Sequence, residues 1–112
     1  MVKVTVSVDS DGAIRELEAE GHAEGFEKGS NPVCAAATVL VRTYLRWLES
    51  GGVEPVDGKA PEPGVLYARI GRPDRERTAL VEGASGFLLT GLADLQEMFP
   101  RQCSLRVLRF KE

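Results

Sequence analysis

With 112 residues, 43% hydrophobic and 28% charged, the chain has the make-up of an ordinary globular protein large enough to bury a core, and residues 1–112 are expected to form one domain. A formal net charge of -3 argues against nucleic acid as the main partner, since phosphate binding calls for a basic surface. One histidine, two cysteines and no CxxC pair are too few soft ligands for a self-contained zinc site, so no metal or cofactor is expected.

The first element is residues 2–8, where Val2, Val4, Val6 and Val8 alternate with Lys3, Thr5 and Ser7. β-branched residues at every second position mark a half-buried strand. Asp9-Ser10-Asp11-Gly12 is a turn, and residues 13–21 resume the alternation less regularly through Ile14, Leu17 and Ala19, which predicts a hairpin. No apolar run reaches the length of a signal peptide or a membrane span, so the expected location is the cytoplasm, with both thiols reduced.

Gly21 ends the second strand and His22 follows it. Gly21 reads equally well as a bend that presents the imidazole or as a plain strand-ending glycine. Residues 23–30, AEGFEKGS, form a charged connection with Gly25 and Gly29. It is either a solvated loop or a movable flap with Phe26 as its apolar contact.

A helix is predicted from Pro32 to about Ser50. Asn31 is a suitable N-cap and Pro32 suits the first helical position, so Val33 and Cys34 fall in the first turn. Amides there lack intrahelical partners and the helix dipole is positive, which favours a thiolate and raises its nucleophilic fraction near neutral pH. An imidazole within reach would make Cys34 and His22 a catalytic dyad. The apolar stripe runs through Val33, Ala36, Ala37, Leu40, Val41, Tyr44, Trp47 and Leu48, with Tyr44 and Trp47 expected in the core. Thr38 stands one turn beyond Cys34, its hydroxyl able to face the sulfur. Gly51-Gly52 stops the helix.

Residues 51–64 read as a loop with a short edge strand at 53–56, and residues 65–70, VLYARI, as a strand. Asp74 is placed to cap a second helix over about 75–98, with Glu76 in its first turn and a stripe of Leu80, Ala84, Phe87, Leu88, Gly91, Leu92 and Leu95. Gly83 and Gly86 suggest a break near its start. Leu105, Val107, Leu108 and Phe110 give a closing strand, with Cys103 before it as an inert, partly buried thiol. The sum is an α+β fold: a mainly antiparallel sheet from hairpin, helix, strand, helix and strand, with two helices packed on one face.

The run GHA, a glycine-containing loop and VCAAATVL resembles the ribosomal-processing cysteine protease family, Prp, whose members have about this length. The resemblance implies a Cys–His endopeptidase, commonly a homodimer, that removes an N-terminal extension from the large-subunit ribosomal protein numbered twenty-seven. It favours the flap reading of the loop holding Gly25, Phe26 and Gly29. The family usually has Asp where this chain has Asn31 and Ser where it has Thr38. Asn31 and Thr38 can hydrogen-bond, but Asn31 brings no negative charge to an imidazolium. On this reading Cys34 attacks the scissile carbonyl and His22 moves the proton. The alternative is a ribosome-associated binding module that docks without cleaving, which would leave Cys34 an ordinary thiol.

Overall fold

The computed structural model describes residues 1–21, 32–53, 57–59 and 65–111. Val2–Val8 (β1) and Ile14–Glu20 (β2) form the expected antiparallel hairpin. Its turn is built by Asp9, whose Oδ1 accepts the amides of Asp11 at 2.9 Å and Ala13 at 3.0 Å. Pairing shifts from Ser7 with Glu16 to Val8 with Ile14, so Arg15 is the additional residue of a β-bulge. The shift lets both Ile14 and Leu17 reach the core. Arg15 instead donates from Nε to the Ile70 carbonyl and lies 4.6 Å from the centre of the Phe110 ring.

The first helix, α1, spans Pro32–Ser50. It stops in a Schellman motif: Gly52, at φ +86°, donates to the Glu49 carbonyl, and Val53 donates to that of Leu48. Val53 turns back into the core instead of joining an edge strand; the edge strand is Asp57–Lys59 (β3), and residues 54–56 lie outside the described set. Val65–Arg69 (β4) follows, then α2 at Thr78–Met98 and β5 at Cys103–Arg109.

The second helix differs from its expectation in two ways. Asp74 accepts the Arg77 amide through Oδ1 at 3.0 Å, but that bond closes a separate turn, and the helix proper begins at Thr78 with Glu76 outside it. Gly83 and Gly86 cause no break. Val81, Ser85, Leu88, Leu92 and Leu95 form one continuous buried face that holds the helix, so tertiary packing outweighs the roughly 1 kcal/mol that each interior glycine costs.

Among the described residues the sheet has five strands in the order β3-β4-β2-β1-β5. All neighbours are antiparallel except β1 and β5, which run parallel from Val2 beside Cys103 to Val8 beside Arg109. A parallel neighbour needs a crossover connection, and α2, leading into β5, completes it. The core lies between one sheet face (Val2, Val4, Val6, Leu17) and the two helices (Val33, Val41, Leu48, Val81, Leu88, Leu92). Each such side chain contributes about 1.5–3 kcal/mol by leaving water. Tyr44 joins this core as expected, whereas Trp47 and Phe87 are exposed. Both sit on the flank of their helix beside the buried stripe, where an apolar residue extends the periodic pattern without facing the sheet.

Candidate active site

Cys34 is the third residue of α1, set there by Pro32, which has no amide hydrogen to lose at a helix start. It is half-buried and packs against the core, while Val33 before it is fully buried and anchors the turn. At about 100° per residue, Thr38 falls about 40° from Cys34 on the same flank. It is exposed one turn further along. Leu40 and Tyr44 occupy the opposite flank and meet α2: a Cβ added to Gly91 would lie 3.2 Å from Leu40 Cδ2, and the Tyr44 hydroxyl stands 3.1 Å from Ser85 Oγ. The thiol is therefore turned away from α2.

The chain arrives at this end of the molecule along β2. The strand stops at Glu20, and Gly21 turns the backbone with φ +98°. A side chain at Gly21 would run into the carbonyl oxygen of Met1. That carbonyl has little room to retreat, since the next amide, Val2 N–H, donates to the Gln102 carbonyl at 2.8 Å. Only glycine meets both conditions. His22, Gly25, Phe26, Gly29 and Asn31 lie outside the described residues. Of the sequence-predicted site, the structure thus places Gly21 at the end of β2, and Cys34 and Thr38 on one flank of α1.

Ser85 carries no signal in the sequence, where it is a lone serine inside a helical stripe. Fully buried on α2, its Oγ accepts the Ile14 amide at 3.0 Å and hydrogen-bonds the Tyr44 hydroxyl. One oxygen thereby joins α2 to α1, which carries Cys34, and to β2, which leads to Gly21. Burial pushes Tyr44 up to about 12, against a smaller opposing pull from Ser85. Burial also pushes the Cys103 thiol up, and Cys103 opens β5 as a wholly buried residue rather than preceding it as a partly buried one. Both cysteines are thiols, and their settings differ: Cys34 is reachable from solvent and Cys103 is not. Among the described residues no cluster of three His, Cys, Asp or Glu side chains could hold a metal ion, and no helix is long and apolar enough to cross a membrane.

A half-buried thiol in the first turn of a helix, packed against the core and turned away from α2, suits nucleophilic attack on a carbonyl. Comparison with known proteins points the same way. The family model described as cysteine protease Prp matches residues 1–104. Among solved structures, the chain resembles an essential ribosomal processing protease Prp from S. aureus in complex with a covalently linked product peptide. That likeness has TM-score 0.80 and 20% identity, and covers 96% of this chain and 99% of that one. The S. aureus protease in complex with a substrate peptide is similar at TM-score 0.77 and 18% identity, over 96% of this chain and 99% of that one. The protein SMU.848 from Streptococcus mutans matches with TM-score 0.80 and 20% identity, over 98% and 96% of the two chains. No curated protein matches the chain.

Proposed function

The chain belongs to the cysteine protease Prp family, and from that premise we propose that Cys34 and His22 form its catalytic dyad. The observation that carries the proposal is the place of Cys34: first turn of α1, half-buried, on the flank turned away from α2. Cys34 Sγ attacks the scissile carbonyl carbon while His22 takes the thiol proton. Amides of the first turn of α1 stabilise the oxyanion. Collapse of the tetrahedral intermediate breaks the C–N bond, and His22 returns the proton to the leaving amine. Water, deprotonated by His22, then hydrolyses the thioester and frees the thiol. The covalently linked product peptide of the S. aureus protease supports a covalent route of this kind.

Thr38 supports the sulfur side, Gly21 aims the start of the segment that bears His22, and Asn31 orients the imidazole by a hydrogen bond without charge. A less firmly held imidazolium makes turnover slow, and Asn31→Asp is expected to raise it. Gly25, Phe26 and Gly29 belong to a flap over the cleft. The substrate is the precursor of the large-subunit ribosomal protein numbered twenty-seven, cut behind its N-terminal extension in the cytoplasm. The working unit is a homodimer of a one-domain chain.

The test is cleavage of the host's own precursor by the wild-type chain, Cys34→Ala and His22→Ala. Cleavage by the first and by neither variant is expected. A folded wild-type chain that leaves the precursor intact, together with a Cys34 alkylation rate unaffected by His22→Ala, would replace the protease with a docking module.

A further inference from the structure

We infer that the outer edge of β5, from Val107 to a hollow beside Arg109, is a docking site for an acidic, extended segment of another protein, which adds to the sheet as a further strand. The inference goes beyond the protease reading and does not depend on it. Among the described residues β5 ends the sheet, with β1 on its inner side and no strand on its outer side. Its ladder with β1 uses the even-numbered residues: Val2 N–H donates to the Gln102 carbonyl at 2.8 Å, and Phe110 N–H to the Val8 carbonyl at 2.9 Å. In such a pair every second residue turns its N–H and C=O away from the neighbour, so Cys103, Leu105, Val107 and Arg109 turn theirs outward.

The chain covers the first half of this edge and leaves the second bare. Cys103 N–H donates to the carbonyl of Phe99, the C-cap of α2, at 2.9 Å, and Leu105 N–H to Gln96 Oε1 at 2.8 Å. α2 crosses the sheet obliquely, since its Ser85 accepts the Ile14 amide on β2 and its Gln96 the Leu105 amide on β5. Among the described residues nothing meets the outward N–H groups of Val107 and Arg109. On opposite faces of the same stretch, Val107 is 54% and Leu108 39% exposed. An open ladder with exposed apolar side chains on both faces is a template for strand addition.

Charge names the occupant. Residues 101–111 hold Arg101, Arg106, Arg109 and Lys111 and no acidic residue, in a chain whose net charge is -3. Ser10, Arg109, Phe110 and Lys111 line an open hollow that offers two cations and a hydroxyl to a carboxylate. Setting β5 against its own copy would bring two such cationic strips together, so an acidic segment fits better than a second copy. A nucleic-acid strand would use the cations and leave the outward amides unmatched, and the Phe110 ring already has Arg15 4.6 Å from its centre. The site also lies apart from Cys34. Val107 and Arg109 stand beside Val6 and Val8, and Val8 is about 20 Å along β1 from the Val2 end, where Gly21 meets Met1. A segment held here leaves the thiol open to substrate.

Fluorescence anisotropy at low salt, with a labelled, end-capped peptide alternating Glu with Val as the probe, tests this on the full chain. The wild type is expected to bind it. Val107→Pro removes an N–H that points away from β1, so the sheet stays paired, and weakens binding by about ten-fold or more. Arg109→Glu weakens it several-fold and brings binding of the matching Lys–Val peptide. Circular dichroism checks that each variant is folded. N-methylating every amide of the Glu–Val peptide removes its ladder donors without touching the protein, and binding is then expected to be lost. A wild type that ignores the Glu–Val peptide overturns the inference. So does binding that survives N-methylation, or that survives Val107→Pro in a folded chain. A tighter hold on oligouridylate, abolished by Arg109→Glu and untouched by Val107→Pro, would make the strip a nucleic-acid contact and overturn it as well.

Discussion

Replacing Ser85 with alanine tests whether the three elements around the site are held by one buried oxygen. Ser85 Oγ lies 3.0 Å from the Ile14 amide and 3.1 Å from the Tyr44 hydroxyl, all inside the core. Ser85→Ala removes one methylene-sized oxygen and strands two buried polar groups. Each stranded group costs about 1–3 kcal/mol, so a loss of about 2–6 kcal/mol is expected. That is a large share of the about 5–15 kcal/mol by which a domain is stable. Tyr44→Phe alone leaves the Ile14 bond in place and costs about 0.5–1.5 kcal/mol.

The decisive number is the double variant. In the Ser85→Ala background the Tyr44 hydroxyl has already lost its partner, so removing it costs nothing or returns some stability, and the two effects are strongly non-additive. Urea unfolding followed by far-ultraviolet circular dichroism gives all four stabilities. The same variants assayed for cleavage should lose activity beyond their unfolded fraction, because α1 carries Cys34 and β2 leads to Gly21. A Ser85→Ala cost below about 0.5 kcal/mol, or additive losses, would refute the reasoning.

Tyr44 also predicts an alkaline loss of stability. Its hydroxyl ionises at about 12 in the folded chain and at 10.0 when unperturbed, so above pH 10 the unfolded state sheds its proton first and stability falls with rising pH. The loss is complete near the folded value and amounts to at most about 2–3 kcal/mol. Wild type and Tyr44→Phe compared by urea unfolding across that interval should diverge by this slope; parallel curves would contradict it. Gly21→Ala forces a side chain onto a φ of +98° and into the Met1 carbonyl. The dihedral alone costs about 1–3 kcal/mol. Cleavage should drop further than thermal stability, because the start of the segment bearing His22 moves; a variant that melts and cuts like the wild type would deny Gly21 its positioning role.

The parts of this fold legible in the sequence are those whose cause is local. The alternating valines of β1, the Asp9 turn, Pro32 at a helix start and the Gly51-Gly52 stop each carry their own reason within a few residues, and each sits where the pattern put it. Cys34 in the first turn of α1 was legible for the same cause. The misplacements arose where the reason lies elsewhere in the chain. Asp74 forms the hydrogen bond a cap would form, but the turn it closes is not the helix. Gly83 and Gly86 argue locally for a break that the buried face of α2 overrides. The parallel pairing of β5 with β1 depends on a crossover that no window of residues contains. Trp47 and Phe87 are the most telling misreading: periodicity identifies an apolar side of a helix, yet it does not say whether that side meets the sheet, the other helix or another molecule. An apolar helix flank wider than one sheet can cover reads as a generous core in the sequence and as an exposed groove in the fold. Among the described residues each helix buries the face it turns to the sheet, and the groove between α1 and α2 stays exposed.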